Sequence, residues 1–418
     1  MRKRIGLSLL LFAGISMGIQ AVEIQGKIDR MNGRYACGEN VQFTFHVLDD
    51  NKLPLKSGQL QIVLSNDGGQ KMFNQTFDLA ANSEIKVSGT LKKPGFLRAV
   101  ASLKGQKKWN VQGAAFEPEK IMSARPAPAD FDTFWQQAQI KQENTPADLK
   151  LTPLPEKSRS HFDAYSVSVA APGGRVYGFL TVPKSKTPVP LLVMVPGAGP
   201  GFGGPQAPRA QNRIACLVMN VHEYDPMTPG KTVNELYKED QQKGYYPCRD
   251  AADRDKYFYY RAILGINRAV SLIAKLPEID EKRIGIAGSS QGGAFALILS
   301  GLNPLIGSVV ANVPAMCDHY GWMAGRQAGW PQIHFNSKGK GDTTAGYYDA
   351  VNFARNIKVP TWIIVGFADT TCPPSSVYAA WNAIPSRSKH IIDEIGMGHQ
   401  VRPSYNQALN KQEALLLK

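Results

Sequence analysis

From Val22 to about Pro118 the chain alternates short polar and apolar runs, with the two-residue period of strands that turn one face to a core. The runs are VQFTFHVL (Val41 to Leu48), LQIVLSN (Leu60 to Asn66), MFNQTFDL (Met72 to Leu79), IKVSGTL (Ile85 to Leu91) and GFLRAVASL (Gly95 to Leu103). DDNK, NDGG and KKPG separate them, and these are turn-forming clusters. The spacing predicts a small antiparallel sandwich of immunoglobulin-like type over residues 22–118. It carries no catalytic constellation, so a structural or glycan-contacting role is expected of it.

Beyond a boundary near Glu119 the pattern changes. Alternating Pro and Ala from Pro126 to Ala129 lead through Asp130, a candidate N-cap, into a helix that opens DFDTFW. HFDAYSVSVA, the turn APGG and RVYGFLTV then read as a hairpin. VPLLVMV (Val189 to Val195), IACLVMNV, RIGIA, GSVVANV, TWIIVGF and HIIDEI are short β-rich runs suited to burial on both faces. Between them, Ile263, Ile266, Val270 and Ile273 recur at helical spacing, and PSSVYAAWNAI and NQALNKQEALLL read as further helices. Strands that alternate with helices over residues 119–418 predict an α/β domain with a doubly wound, mainly parallel sheet.

Composition adds three constraints. Arg2, Lys3 and Arg4 precede an apolar run from Ile5 to Ile19, the pattern of an export signal over residues 1–21, so a periplasmic or secreted protein without stable membrane insertion is expected. The five cysteines, Cys37, Cys216, Cys248, Cys317 and Cys372, form no Cys-x-x-Cys pair, which argues against a zinc site or a dense disulfide framework and leaves one disulfide open. The formal charge of +14, or +11 without the three basic leader residues, favours acidic partners such as uronic-acid-bearing glycans. Nucleic acid is not expected, because the basic residues are dispersed.

The candidate chemistry lies at Gly288-Ser289-Ser290-Gln291-Gly292, between a predicted strand and a predicted helix. That is the G-x-S-x-G nucleophile elbow, whose sharp turn exposes the serine hydroxyl and needs glycines two residues before and after it. Ser290 is therefore the candidate nucleophile, and Ser289 is filler. Such a serine needs a base oriented by a carboxylate, which follow it in the order acid, then histidine. Asp369 after TWIIVGF and His399 after HIIDEI satisfy that order in exposed turns at strand ends. His390 and Asp393 read as structural, and His222 and His319 as surface or pocket-lining residues. An oxyanion hole requires two backbone N–H groups, for which Gln291 and Ala198 of the loop VPGAGPGFGG are the candidates. Gly199, Gly201 and Gly204 of that loop match the dinucleotide pattern G-x-G-x-x-G, but Pro200, Pro205 and Pro208 remove the helix start that a pyrophosphate needs.

With these residues in view, Pro128 to Gln400 resembles the acetyl xylan esterase and cephalosporin-C deacetylase family of α/β-hydrolases. The likeness rests on DFDTFW, YFYYRAILGINRAV, RIGIAGSSQGG, YYDAVNFA, VGFADTTCPPSSVYAAWNAI and the histidine of GMGH. It implies triad roles for Ser290, Asp369 and His399, oxyanion roles for Gln291 and Ala198, no metal or organic cofactor, and acetylated xylan, oligosaccharides or small esters as substrates. Two segments depart from the family pattern. Pro196-Gly197-Ala198 stands where the family carries His-Gly-Tyr, and NVHEY (Asn220 to Tyr224), followed by an insertion to about Asp255, stands where it carries Arg-Gly-Gln. Two other readings fit the same motifs: a serine peptidase of prolyl oligopeptidase type, which shares the elbow and triad order, and a glycan-binding protein whose hydrolase domain is inactive. Peptide turnover without acetate release would mark the first, and glycan binding without esterase activity the second.

Overall fold

The computed structural model describes residues 22–418, so the predicted export signal lies outside the described residues. The N-terminal strands are β1 (Glu23–Ile28), β2 (Arg34–Tyr35), β3 (Val41–Leu48), β4 (Gln59–Asn66), β5 (Lys71–Asp78), β6 (Ile85–Gly89), β7 (Gly95–Leu103) and β8 (Trp109–Phe116). They pair in the orders β1-β3-β6 and β2-β8-β7-β4-β5, antiparallel except where β2 meets β8. Alternation explains the packing. Phe43 and Phe45 of one sheet and Leu60, Ile62, Leu97 and Ala99 of the other share one buried core. Phe96, one residue out of step with Leu97, turns to the opposite face of its sheet and joins the core of the following region.

After a 3-10 turn at Pro118–Lys120 comes α1 (Phe131–Glu143), then β9 (Lys150–Pro153), β10 (Phe162–Ala171), β11 (Gly174–Pro183), β12 (Val189–Val195), β13 (Ala215–Met219), α2 (Val233–Gln241) and α3 (Phe258–Ile273). β14 (Ile279–Ser289), α4 (Gln291–Leu302), β15 (Ile306–Asn312), the short helices α5 (Ile333–Asn336), α6 (Asp342–Ala345) and α7 (Ala350–Ala354), β16 (Thr361–Gly366), α8 (Pro374–Ala383), β17 (Lys389–Glu394) and α9 (Pro403–Leu416) complete the order. The main sheet runs β17-β16-β15-β14-β12-β13-β11-β10-β9. It is parallel from β13 to β17 and antiparallel from β9 through β11 to β13, the mainly parallel α/β sheet that the strand-helix alternation predicts.

Both faces of that sheet are covered. Leu191, Val193, Ile284, Ile286 and Val309 meet α1, α3, α4 and α8 on one face, while Leu192, Ala287, Val310 and Ile364 meet α9 on the other. The strand order reverses at β12, which has β13 on one side and β14 on the other. Open α/β sheets form their crevice outside the carboxyl ends of the strands at such a reversal, and the ends of β12 and β14 are where the candidate site residues begin. On α1, Trp135 is 2 % exposed, rests against Tyr348 and Phe353, and donates its indole N–H to the Tyr347 carbonyl at 2.9 Å.

Trp135→Ala is expected to lower the unfolding free energy by about 3–5 kcal/mol, measured by urea denaturation, because it empties an aromatic site that the surrounding rings cannot close.

Candidate active site

The elbow is built by close packing of backbone. Ser290 sits between β14 and α4 with φ 57° and ψ −121°, a positive-φ conformation that costs a non-glycine residue of order 1–3 kcal/mol. Any side chain at Gly288 would strike the backbone of Gly292, and any at Gly292 would strike the Val195 carbonyl at the end of β12. The turn is also pinned by hydrogen bonds. The Ser290 N–H donates to the Asn312 carbonyl at 2.9 Å, and the Ser290 carbonyl accepts from Ala315 at 3.0 Å. Ser289 is more than filler, because its Oγ accepts from Asn312 Nδ2 at 2.8 Å, and the same amide reaches the Gln400 carbonyl at 3.0 Å.

The structure brings Ser290, His399 and Asp369 into one hydrogen-bonded series. Ser290 Oγ lies 2.9 Å from His399 Nε2, and His399 Nδ1 lies 2.8 Å from Asp369 Oδ2. With Nδ1–H donating to the carboxylate, Nε2 is left to accept the serine proton. Asp369 Oδ1 accepts from the backbone N–H groups of Thr371 at 2.8 Å and Cys372 at 3.0 Å, so both carboxylate oxygens are held. The side chain of Asp369 is closed to solvent, and that of His399 is 28 % exposed. The two loops are tied directly by a bond from the Ala368 N–H to the Met397 carbonyl at 3.0 Å. The turn after Asp369 is less open than its Thr and Pro residues suggest. Cys372, Pro373 and Pro374 are buried. Asp369, Cys372 and His399 also bring potential metal-ligand atoms within 4.8 Å of one another, but the carboxylate and imidazole are engaged in the hydrogen bonds above.

Beside Ser290 lies the loop after β12. Gly197 is its near point, where an added Cβ would stand 3.9 Å from Ser290 Cβ, and Ala198 follows it on the exposed rim. Gln291 occupies the first position of α4, where a backbone N–H has no partner within the helix. Its side chain does something the motif alone does not reveal. Buried completely, it accepts the hydroxyls of Tyr246 at 2.9 Å and Tyr259 at 2.7 Å on Oε1, while Nε2 donates toward the Pro196 and Gly197 carbonyls at 3.3 and 3.4 Å. Gln291 thereby joins the elbow to the glycine-rich loop.

The residues at the departure from the family pattern hold that loop from the other side. Asn220 clamps Phe202 by accepting its N–H at 2.7 Å and donating to its carbonyl at 2.9 Å, and the Tyr224 hydroxyl donates to the Pro200 carbonyl at 2.6 Å. His222 is fully buried, not a surface residue. Its Nε2 lies 2.8 Å from the Gly199 carbonyl, and its ring is caged by Tyr224, Tyr237, Tyr246 and Phe258. The cage comes from α2, α3 and the insertion, which a local reading cannot place. No helix opens at Gly204, and the next begins at Val233.

His319 likewise turns out to be buried. Neither ring nitrogen has a hydrogen-bond partner, and burial lowers its pKa from the ordinary histidine value to about 3. Asp393 is structural, bonded to Arg34 and Tyr378, and the exposed His390 stacks on Trp362. All five cysteines are unpaired.

A hydroxyl, an imidazole and a buried carboxylate in series at the carboxyl edge of a mainly parallel, helix-covered sheet define a site suited to acyl transfer. The acetyl xylan esterase family (AXE1) matches residues 117–412, and the chain belongs to that family. Acetyl esterase Axe7A of Xylanibacter ruminicola is 32 % identical over 316 residues, 73 % of this chain and 71 % of that protein. Among solved structures, acetyl xylan esterase 1 from Thermoanaerobacterium sp. JW/SL YS485 aligns with a TM-score of 0.61 at 22 % identity, over 72 % of this chain and 98 % of that one. Acetyl xylan esterase from Paenibacillus sp. R4 aligns with a TM-score of 0.59 at 22 % identity, over 71 % and 98 %. The protein is a carboxylic ester hydrolase with the α/β fold of these enzymes.

Gln291→Leu is expected to reduce kcat on a small aryl acetate by about tenfold to a hundredfold through misplacement of the glycine-rich loop. It should also lower the unfolding free energy by about 1–3 kcal/mol, since two buried tyrosine hydroxyls lose their acceptor. Steady-state rates and urea titrations of the purified variant measure the two effects.

His319 adds a pH dependence. The unfolded chain takes up this proton near pH 6.5 and the folded protein only near 3, so stability is lost as pH falls through that window, by up to about 1.4 kcal/mol per pH unit. His319→Leu should flatten the profile of unfolding free energy between about pH 6 and 4.

Proposed function

We propose that the protein is an exported serine esterase that removes acetyl groups from acetylated xylan or related plant glycans and their oligosaccharides. One observation carries the mechanism: the hydrogen-bonded series Ser290–His399–Asp369 at the carboxyl edge of the sheet. Ser290 Oγ attacks the acetyl carbonyl as His399 Nε2 takes its proton. Asp369 keeps the imidazole in the required tautomer and stabilises the imidazolium. The N–H groups of Gln291 and Ala198 hold the negative charge that develops on the carbonyl oxygen, and His399 returns its proton to the departing sugar hydroxyl. Water, activated by the same imidazole, then attacks the acetyl-enzyme and releases acetate.

Membership of the acetyl xylan esterase family and likeness to an acetyl esterase support acetyl as the acyl group and a plant glycan as the alcohol. Export rests on the basic and apolar leader at residues 1–21. Among the described residues no helix is long and apolar enough to cross a membrane. We read residues 22–118 as an immunoglobulin-like sandwich domain and residues 119–418 as the catalytic domain. The core shared by the two N-terminal sheets supports that division.

The mature protein is expected to release acetate from acetylated xylo-oligosaccharides, and Ser290→Ala to lose about a thousandfold or more of that rate. Acetate release by both proteins alike would remove Ser290 from the mechanism, and cleavage of small aryl acetates alone would move the substrate to another acylated glycan.

A further inference from the structure

The N-terminal strands hold none of Ser290, Asp369 and His399, yet they meet the segment that bears Asp369 at three points. At the first, Phe96 of β7 packs edge-on against Phe367, two residues before Asp369, with ring centroids 5.0 Å apart. At the second, Gly113 of β8 lies so close that a Cβ there would stand 2.6 Å from both the Cβ and the carbonyl oxygen of Phe367. No larger residue fits without displacing that backbone. The third point is Asp67, just after β4 and 5 % exposed, whose Oδ2 accepts the Ser375 N–H at 3.3 Å. Ser375 is in the first turn of α8, where the N-cap is Pro373 and makes no side-chain capping bond. Asp67 therefore caps, from far away in the chain, the helix that follows the catalytic-acid turn.

The same strands reach the histidine side. Arg34 donates to Asp393 Oδ2 through Nε at 2.8 Å and through a terminal nitrogen at 2.7 Å, and Tyr378 of α8 donates to Asp393 Oδ1 at 2.6 Å. Asp393 lies on β17, the strand that leads to His399. Contacts on both sides of the acid–base pair thus come from a region with no other evident chemistry.

We propose that the N-terminal region is a positioning element of the esterase: Asp67, Phe96 and Gly113 fix the segment Phe367–Ser375 so that Asp369 meets His399. This rests on the reading of Ser290, His399 and Asp369 as the catalytic triad. The region then acts on every substrate, including esters too small to touch it. A glycan-contacting role alone would act only on polymers.

The test uses the full chain and p-nitrophenyl acetate, with circular dichroism and urea midpoints to give the folded fraction. Asp67→Ala and Gly113→Ala should each lower kcat by about tenfold to a hundredfold, with KM changed by less than about twofold. The acid limb of the kcat/KM profile should move to lower pH, because an imidazolium that loses its carboxylate partner gives up its proton more readily. Asp67→Asn keeps an acceptor for the Ser375 N–H and should recover activity to within about threefold of the wild type. Trp109→Ala, an exposed change on β8, should leave the rate unaltered. Wild-type kcat in both alanine variants would overturn the proposal, as would a loss fully accounted for by unfolded protein with an unmoved pH profile. Should Gly113→Ala fail to fold, the contrast between Asp67→Ala and Asp67→Asn decides. Ser290→Ala, run in parallel, tests the underlying triad separately, since its full activity would reject that reading whatever the Asp67 variants do.

Discussion

The backbone of Ser290 is held where a side-chain-bearing residue is strained, and the contact that permits this is Gly292 against the Val195 carbonyl. No other residue type allows α4 to start so close to β12. That approach sets much of the geometry around it. The loop after β12 must then run beside the serine, which brings Gly197 against Ser290 and Ala198 to the rim. Strain of order 1–3 kcal/mol persists only where the surroundings determine the conformation more than once. Here the Asn312 carbonyl, the Ala315 N–H and the two glycine contacts all demand the same turn.

Around that turn the protein uses buried polar side chains where an apolar core would be simpler. Gln291, Asn220, His222 and Asn312 each bond to backbone of the loops that carry the chemistry. A buried amide that loses its partner costs more than the bond contributes, so each of these side chains penalises any loop movement. Apolar contacts have no such directionality and would permit sliding. In the proposed mechanism rigidity is useful in this place, because oxyanion donors act only if they are aimed before charge develops.

Much of this was legible in the sequence, because it depends on local punctuation. The strand runs, the aromatic helix at DFDTFW, the glycines flanking Ser290 and the loops holding Asp369 and His399 each follow from period and turn chemistry within a dozen residues. What local pattern cannot carry is the partner on the far side of a contact. His222 and His319 read as surface or pocket-lining residues because histidine is commonly exposed, and only the packing of other elements around them removes them from water. The side-chain bonds of Gln291 depend on Tyr246 and Tyr259, which lie in an insertion and on α3. Asp67 and Ser375 are more than three hundred positions apart, and no periodicity connects them.

The distribution of solvent in the triad follows from this architecture. Asp369 is closed to solvent, with its carboxylate held by the N–H groups of Thr371 and Cys372, while His399 keeps 28 % of its side chain exposed. The attraction between carboxylate and imidazolium strengthens as water leaves the space around the carboxylate, so a dry acid is the stronger stabiliser. Drying the imidazole as well would hinder the second half of the proposed reaction, in which water must reach Nε2 to hydrolyse the acetyl-enzyme. The N-terminal strands meet the segment around the acid at Phe367 and Ser375. A closed carboxylate beside a part-exposed imidazole suits both half-reactions of the proposed mechanism: one gains from a fixed, desolvated carboxylate, and the other from an open route for water.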